Sequence, residues 1–180
     1  MIIFDLDTLA DNSHRRHFVE KYIACDHWHQ IPNHPVDMCV DCKKKHIKWE
    51  PDWTAYNEAC DKDELVEPTI KVFEALWENR KGDGDIVIWS GRCESTRPKT
   101  EEWLFKHIEF QRTMPYLRMR PIGDNTPEHE LKEKWLLEFW VATCPQDGRI
   151  DFVFDSHPDS IAMFRKRGIF VFDCRQDKEF

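Results

Sequence analysis

Two aspartates separated by one residue, Asp5 and Asp7, follow the apolar run Ile2-Ile3-Phe4. A carboxylate pair at this spacing puts both groups near one point. With a third acidic group from another strand it would form a hard oxygen site for Mg²⁺. Such an ion offsets carboxylate repulsion and neutralises phosphate charge. One carboxylate could then attack phosphorus as a nucleophile, while the second protonates the leaving oxygen and later activates water. Two more apolar runs end in polar groups. Ile86-Val87-Ile88-Trp89 leads into Ser90-Gly91-Arg92, and Ile150-Asp151-Phe152-Val153-Phe154 leads into Asp155. Ser90 and the backbone amide after it could hold phosphoryl oxygens, with a lysine balancing their charge.

A second group of chemical residues falls between positions 25 and 50, which hold three of the seven cysteines and four of the nine histidines. Cys39 and Cys42 have metal-knuckle spacing. Cys25 precedes Cys39 by 14 residues, with His27 and His29 beside it, and His46 follows Cys42 by four. Zn²⁺ takes four tetrahedral N or S ligands, and a segment this poor in aliphatics would gain order from such an ion. Cys25, Cys39 and Cys42 are three expected ligands. His29 is the preferred fourth, with His27 and His46 as alternatives. A closed four-ligand site is structural, so this zinc is not assigned to catalysis. Lys43-Lys44-Lys45, His46 and Lys48, with Trp28, Trp49 and Trp53 nearby, could meet phosphates and bases or form a solvated basic loop.

The remaining pattern supplies the elements that must hold these groups. Helical spacing runs from Ser13 through Ile23, from Glu67 to Asn79 with Pro68 near the start, from Thr100 to His107, from Leu131 to Val141 and from Ile161 to Arg167. Tyr116 to Met119 and Ile169-Phe170-Val171-Phe172 add two short strands. Short apolar strands alternating with helices predict an α/β fold, a parallel sheet with helices on both faces. Ligands in such folds sit beyond the carboxyl ends of the strands, where Asp5, Asp7, Ser90 and Asp155 all fall. The chain reads as one domain over 1–180 carrying a Cys/His-rich insertion at 22–50.

In this order the pieces resemble the haloacid dehalogenase (HAD) superfamily of aspartyl-phosphate phosphatases. Ile3-Phe4-Asp5-Leu6-Asp7-Thr8-Leu9 looks like the first motif and Val87-Ile88-Trp89-Ser90-Gly91-Arg92 like the second. Lys132 falls where the third motif's lysine belongs, and Val153-Phe154-Asp155-Ser156-His157-Pro158-Asp159 looks like the fourth. Within the superfamily the chain is most similar to the 3′-phosphatase domain of phage polynucleotide kinase and its stand-alone phage relatives. That likeness rests on Ser90-Gly91-Arg92-x-Glu94, Thr100-Glu101-Glu102-Trp103-Leu104, Met119-Arg120-x-x-Gly123-Asp124 and Met163-Phe164-Arg165-x-x-Gly168-Ile169.

The resemblance implies a Rossmann-like HAD fold and a Mg²⁺-dependent phosphomonoesterase. Asp5 would be the nucleophile, Asp7 the acid and base, and Ser90 and Lys132 the phosphoryl holders. Asp5, Asp7, Asp155 and Asp159 would serve magnesium, and Arg15, Gly91, Arg92 and Asp124 would lie on the substrate side. The insertion falls where a cap enters in that superfamily. Two departures stand out: Thr8 follows Asp7 with no intervening Gly, and Ser156 stands where many relatives carry a second Asp. They support an alternative reading, a weak or inactive scaffold whose zinc segment binds nucleic acid or protein.

The 180 residues carry a formal net charge of −8. That balance argues against gripping long nucleic acid without regard to sequence; the resemblance implies a nucleotide or a nucleic-acid end as substrate, and the acidic charge favours mononucleotides or short ends over long duplex. A 3′-phosphatase and a 5′-nucleotidase both satisfy the pattern. No apolar run reaches the roughly 20 residues of a membrane span, no basic leader opens the chain, and no kinase-type phosphate loop is present. A cytoplasmic protein is expected, in the host cytoplasm if phage-encoded. Cys60, Cys93, Cys144 and Cys174 read as small buried hydrophobes.

Overall fold

The computed structural model describes residues 1–19, 51–82, 85–110, 113–143 and 149–175. The apolar run after Met1 forms β1 (Ile2–Asp5), and a 3-10 turn over Leu6–Thr8 leads into β2 (Ala10–Asp11). A second 3-10 helix spans Ser13–Phe18; the rest of the predicted helix to Ile23 lies outside the described residues. Then come α1 (Trp53–Glu58), a 3-10 turn at Ala59–Lys62, β3 (Glu64–Leu65) and α2 (Glu67–Glu78). β4 (Ile86–Cys93) and α3 (Arg97–His107) follow, then β5 (Tyr116–Arg120) and α4 (Glu128–Ala142). The chain closes on β6 (Phe152–Asp155), α5 (Pro158–Lys166) and β7 (Val171–Asp173).

Five strands form one parallel sheet in the order β5-β4-β1-β6-β7, with β1 at its centre. The α/β expectation therefore holds in fold class and strand direction. The strands are short apolar runs because both faces are covered. Alternation along each strand sorts its side chains. Phe4, Ile86, Ile88, Leu117 and Phe154 pack with Ile70, Phe73 and Trp77 of α2 and with Trp103 and Leu104 of α3. Ile3, Val87, Trp89 and Val153 face the other way, onto Leu131, Trp135 and Leu136 of α4 and Ile161 and Phe164 of α5. Phe4 and Phe154 stack at 4.3 Å and Phe73 meets Phe4 edge-on at 5.0 Å. Each such ring contributes about 1.5–3 kcal/mol by burial.

Two details depart from the pattern read off the sequence. β4 does not stop at Trp89 but runs on to Cys93, with a register irregularity between Ser90 and Cys93. Ser90, Gly91 and Arg92 thus sit on the strand itself. A two-stranded antiparallel pair, Ala10 with Leu65 and Asp11 with Glu64, was not foreseen; two residues per strand are too few to show a period. α5 ends where Gly168 adopts φ +76, a left-handed cap, letting Ile169 N donate back to Phe164 O and the chain turn into β7. Among the described residues no helix is long and apolar enough to cross a membrane.

Candidate active site

At the carboxyl edge of the sheet, Asp5 ends β1 and Asp155 ends the neighbouring β6. Both are buried, as is Lys132. Lys132 lies in the second turn of α4, whose Leu131, Trp135 and Leu136 anchor the helix to the sheet. Its Nζ is 2.9 Å from Asp5 Oδ1, 2.8 Å from Asp155 Oδ2 and 2.6 Å from Glu128 Oε1, one helical turn earlier. The ammonium donates a hydrogen bond to Asp155 Oδ2 and pairs ionically with Asp5 and Glu128. Burial pushes the Asp5 carboxyl well above its usual range, against the pull of Lys132 and with the help of Asp155 and Glu128. Asp155 is raised for the same first reason, although Lys132 and the His157 amide lower it. Burial alone would discharge Lys132, but Asp5, Glu128 and Asp155 hold it charged well above the ordinary lysine range.

Asp7 stands two residues on, in the 3-10 turn, and takes a different partner. Its Oδ1 accepts from Arg92 Nη2 at 3.2 Å and its Oδ2 from Asn12 Nδ2 at 2.9 Å. Burial would raise its carboxyl, but Arg92 and Arg15 outweigh that and hold it below the usual range. The two carboxyls of the Asp-x-Asp pair are thus driven apart, Asp5 up by burial despite Lys132 and Asp7 down by Arg92 and Arg15 despite burial. Thr8, despite the missing glycine, is buried, and its hydroxyl donates to Asp5 O at 2.7 Å. That bond closes the turn tightly beneath the pair.

Ser90 is buried and its Oγ accepts from Arg92 N at 3.1 Å. Gly91 lies against α4: a Cβ there would meet Glu128 Oε2 at 2.6 Å, so any larger residue requires the glutamate to move aside or the strand to shift. Arg120 ties the end of β5 to this edge, donating from Nε to Gly91 O at 2.8 Å and from Nη1 to Thr126 O at 2.5 Å. Asp124 accepts from Thr126 N at 2.8 Å, which holds its carboxyl low.

Two expected site residues are placed differently from their forecast. Arg15, expected at the substrate side, is fully buried and occupied by Asp63, at 2.8 Å from both Nε and Nη2, and by Tyr56 O at 3.1 Å from Nη1. Its side chain is enclosed because the tyrosine ring covers the guanidinium at 4.2 Å. Asp159, expected to serve magnesium, is exposed on the first turn of α5, and among the described residues no hydrogen bond or ion pair joins it to the Lys132 cluster. Two participants went unforeseen, the half-buried Glu128 and the buried Asp63. Glu128 was readable, since it stands four residues before Lys132 on one helix face. Asp63 carried no comparable signal.

The donor set fits a small hard cation. Three carboxylates around one ammonium leave an excess of negative charge, the oxygen-rich environment suits Mg²⁺, and the raised Asp5 and Asp155 carboxyls mark a place where a cation would relieve the cost of ionisation. Cys25, His27, His29, Cys39, Cys42 and His46, the expected zinc ligands, lie outside the described residues. Among the described residues no group of three or more His, Cys, Asp or Glu side chains is arranged to hold a metal ion as it stands; at the sheet edge Lys132 Nζ lies between the carboxylates.

A family model described as the polynucleotide kinase PNKP phosphatase domain matches residues 52–179, over two thirds of the chain. No curated protein matches. Among solved structures, a chain of the Pnkp1/Rnl/Hen1 complex aligns with a TM-score of 0.60 at 19% identity, over 96% of this chain and 45% of that one. A chain of the Pnkp1/Rnl/Hen1 RNA repair complex aligns with a TM-score of 0.53 at 23% identity, over 65% of this chain and 35% of that one. These alignments speak to the fold, and this chain spans less than half the length of either.

Proposed function

This chain belongs to the polynucleotide kinase PNKP phosphatase domain family of HAD type, and from that membership we propose that it is a Mg²⁺-dependent phosphomonoesterase acting on a nucleic-acid phosphate end through an aspartyl-phosphate. The observation that carries the reading is the buried Lys132 shared by Asp5, Asp155 and Glu128 at the carboxyl edge of the sheet. The family's own description and the RNA repair complex among the fold neighbours favour a polynucleotide end over a free nucleotide.

In the proposed reaction an Asp5 carboxylate oxygen attacks phosphorus, and the bond from phosphorus to the leaving oxygen breaks. Asp7, which Arg92 and Arg15 hold ionised in the free chain, would take up a proton as the negatively charged phosphate arrives, give it to that oxygen, and then take one from the water that hydrolyses the acyl-phosphate. Its contact with Arg92 orients it for both steps. Lys132 faces Asp5 and balances charge on the transferring group, while Ser90, the following amides and Arg92 hold phosphoryl oxygens. Mg²⁺, held by Asp5, Asp155 and the Asp7 region, would neutralise phosphate charge and draw substrate to the carboxylates. Asp124 and Gly91 line the approach.

The test is phosphate release with Mg²⁺, wild type beside Asp5→Asn. Substrates are oligonucleotides phosphorylated at the 3′ or 5′ end and 3′- and 5′-mononucleotides. Turnover on an oligonucleotide end, lost in Asp5→Asn, supports the proposal. Preference for a 5′-mononucleotide moves it to a nucleotidase, and no turnover moves it to a binding scaffold.

The zinc expectation stands beside this as a separate proposal: one structural Zn²⁺ held by Cys25, Cys39, Cys42 and one of His29, His27 or His46. The ligand types and spacing support it. Elemental analysis of the purified protein should find about one zinc per chain, reduced in Cys39→Ser.

A further inference from the structure

Asp63 belongs to none of the strand-end motifs, yet its carboxylate is fully buried and serves two arginines. Arg15 engages it with two nitrogens, each at 2.8 Å, and Arg92 with one, at 2.6 Å. The Asp63 main chain is fixed as well, because its carbonyl accepts from Trp103 Nε1 of α3 at 2.8 Å. Arg15 is pinned in turn by Tyr56, through the carbonyl at 3.1 Å and the ring face at 4.2 Å. Asp63 is thus held by Arg15 through both oxygens, and its Oδ2 is shared between Arg15 Nη2 and Arg92 Nη2.

Arg92 is treated differently from Arg15. A pair built only for cohesion would place a two-pronged face on the carboxylate, as Arg15 does. Arg92 instead divides a single nitrogen, Nη2, between Asp63 and Asp7. Its Nε and Nη1 are buried and have no hydrogen-bond partner among the described residues. Buried donors without acceptors are costly; Nε–H and the Nη1–H groups diverge in the guanidinium plane and do not form a parallel fork, so each is left for a separate oxygen contact beside Asp7, of the kind a phosphate supplies.

We propose that Asp63 is a positioning residue for phosphoryl transfer: braced by Arg15 and Trp103, it takes one nitrogen of Arg92 and so leaves the other donors of that guanidinium aimed at the substrate phosphate. This rests on the phosphatase reading above and adds to it the residue that aims Arg92. Without Asp63, Arg92 is free to turn two nitrogens, Nη2 and one neighbour, onto Asp7, which takes one of the two free nitrogens from the phosphate and re-aims the other.

The experiment compares wild type, Asp63→Asn and the double variant Asp63→Asn with Arg15→Gln. It reads melting temperature, kcat and KM on the best substrate found for the wild type, and the affinity of inorganic phosphate by calorimetry. Asp63→Asn should lose about 10- to 100-fold in kcat, as supporting residues around a site typically do, and bind phosphate about tenfold more weakly. The double variant removes the uncompensated buried charge, so its melting temperature should recover while kcat and phosphate affinity stay low. Recovery of kcat and phosphate affinity together with melting temperature would overturn the proposal, since Asp63 would then only neutralise Arg15. Should Asp63→Asn not fold, the double variant decides alone. A wild type that binds phosphate but turns over no substrate sinks the phosphatase reading, while the calorimetry still tests Asp63.

Discussion

Asp5 and Asp155 end adjacent parallel strands and share one ammonium, Lys132 Nζ, at 2.9 and 2.8 Å. The sheet brings the carboxylates together at one edge, and α4 delivers the cation that makes their proximity tolerable. Glu128, on the same helix, adds a third negative group at 2.6 Å. A cluster with more carboxylates than ammonium groups is built for a further cation as much as for cohesion, and its members respond to substitution in different directions.

Lys132→Met removes the shared ammonium and leaves three carboxylates facing one another. Breaking a buried pair from one side costs about 3–5 kcal/mol, so the melting temperature falls steeply. In the fraction that remains folded, kcat should drop about 10²- to 10³-fold, the loss expected for removing one preorganised electrostatic partner. Thermal melts by circular dichroism and steady-state phosphate release check the two effects separately. Near-wild-type kcat would remove Lys132 from the reaction.

Asp5→Asn should behave in the opposite way toward stability. Burial raises the Asp5 carboxyl, so the folded chain binds this proton more tightly than the unfolded chain does. Stability is then lost as pH rises from the unfolded value, about 3.9, to the raised folded one, and above that the full cost is present. Asparagine has no charge to bury. In chelator at neutral pH the variant should therefore melt above wild type while losing at least about 10³-fold in activity. A lower melting temperature would mean that the Lys132 attraction outweighs burial.

The residues legible in the sequence were those at the ends of apolar strands: Asp5, Ser90 and Asp155 each follow a run that the sheet buries on both faces. Lys132 was legible only through its place in an ordered set of motifs. Glu128 could have been found from its four-residue spacing to Lys132. Asp63 could not, because its arginine partners lie 48 and 29 residues away in sequence and meet it only once β4 and the Ser13–Phe18 turn are in place. The same distance effect bears on Arg15: the resemblance sets it on the substrate side, and only the fold brings it to the buried carboxylate of Asp63.

Gly91→Ala tests the passage of β4 past α4. The new methyl would lie 2.6 Å from Glu128 Oε2, so the glutamate must swing away or the strand must shift. Either movement loosens the third partner of Lys132. Stability should fall by about 1–3 kcal/mol, the usual cost of overpacking. Activity should fall about tenfold or more, since displacements of about 1 Å near a reacting centre are costly. Adding Glu128→Ala to Gly91→Ala should restore the stability lost to the clash, leaving only the cost of removing Glu128. A double variant no more stable than Gly91→Ala would show that the strand, not the glutamate, gives way.

Cys174 offers a reporter of the same site without touching its chemistry. Its amide donates to Asp155 O at 2.9 Å. Burial, then the charges of Asp155, Asp173 and Asp5, push its thiol up to about 11. Only the thiolate reacts with alkylating reagents, so at pH 8 Cys174 should label about 200-fold more slowly than an unperturbed cysteine of pKa about 8.5. A magnesium ion at Asp5 and Asp155 cancels two of the charges that hold the thiol protonated, and labelling of Cys174 should quicken when Mg²⁺ is added. Iodoacetamide labelling followed by peptide mass spectrometry reads this residue alone. A rate that ignores Mg²⁺ in wild type, yet rises in Asp155→Asn, would place the ion away from these two carboxylates while confirming that their charge governs the thiol.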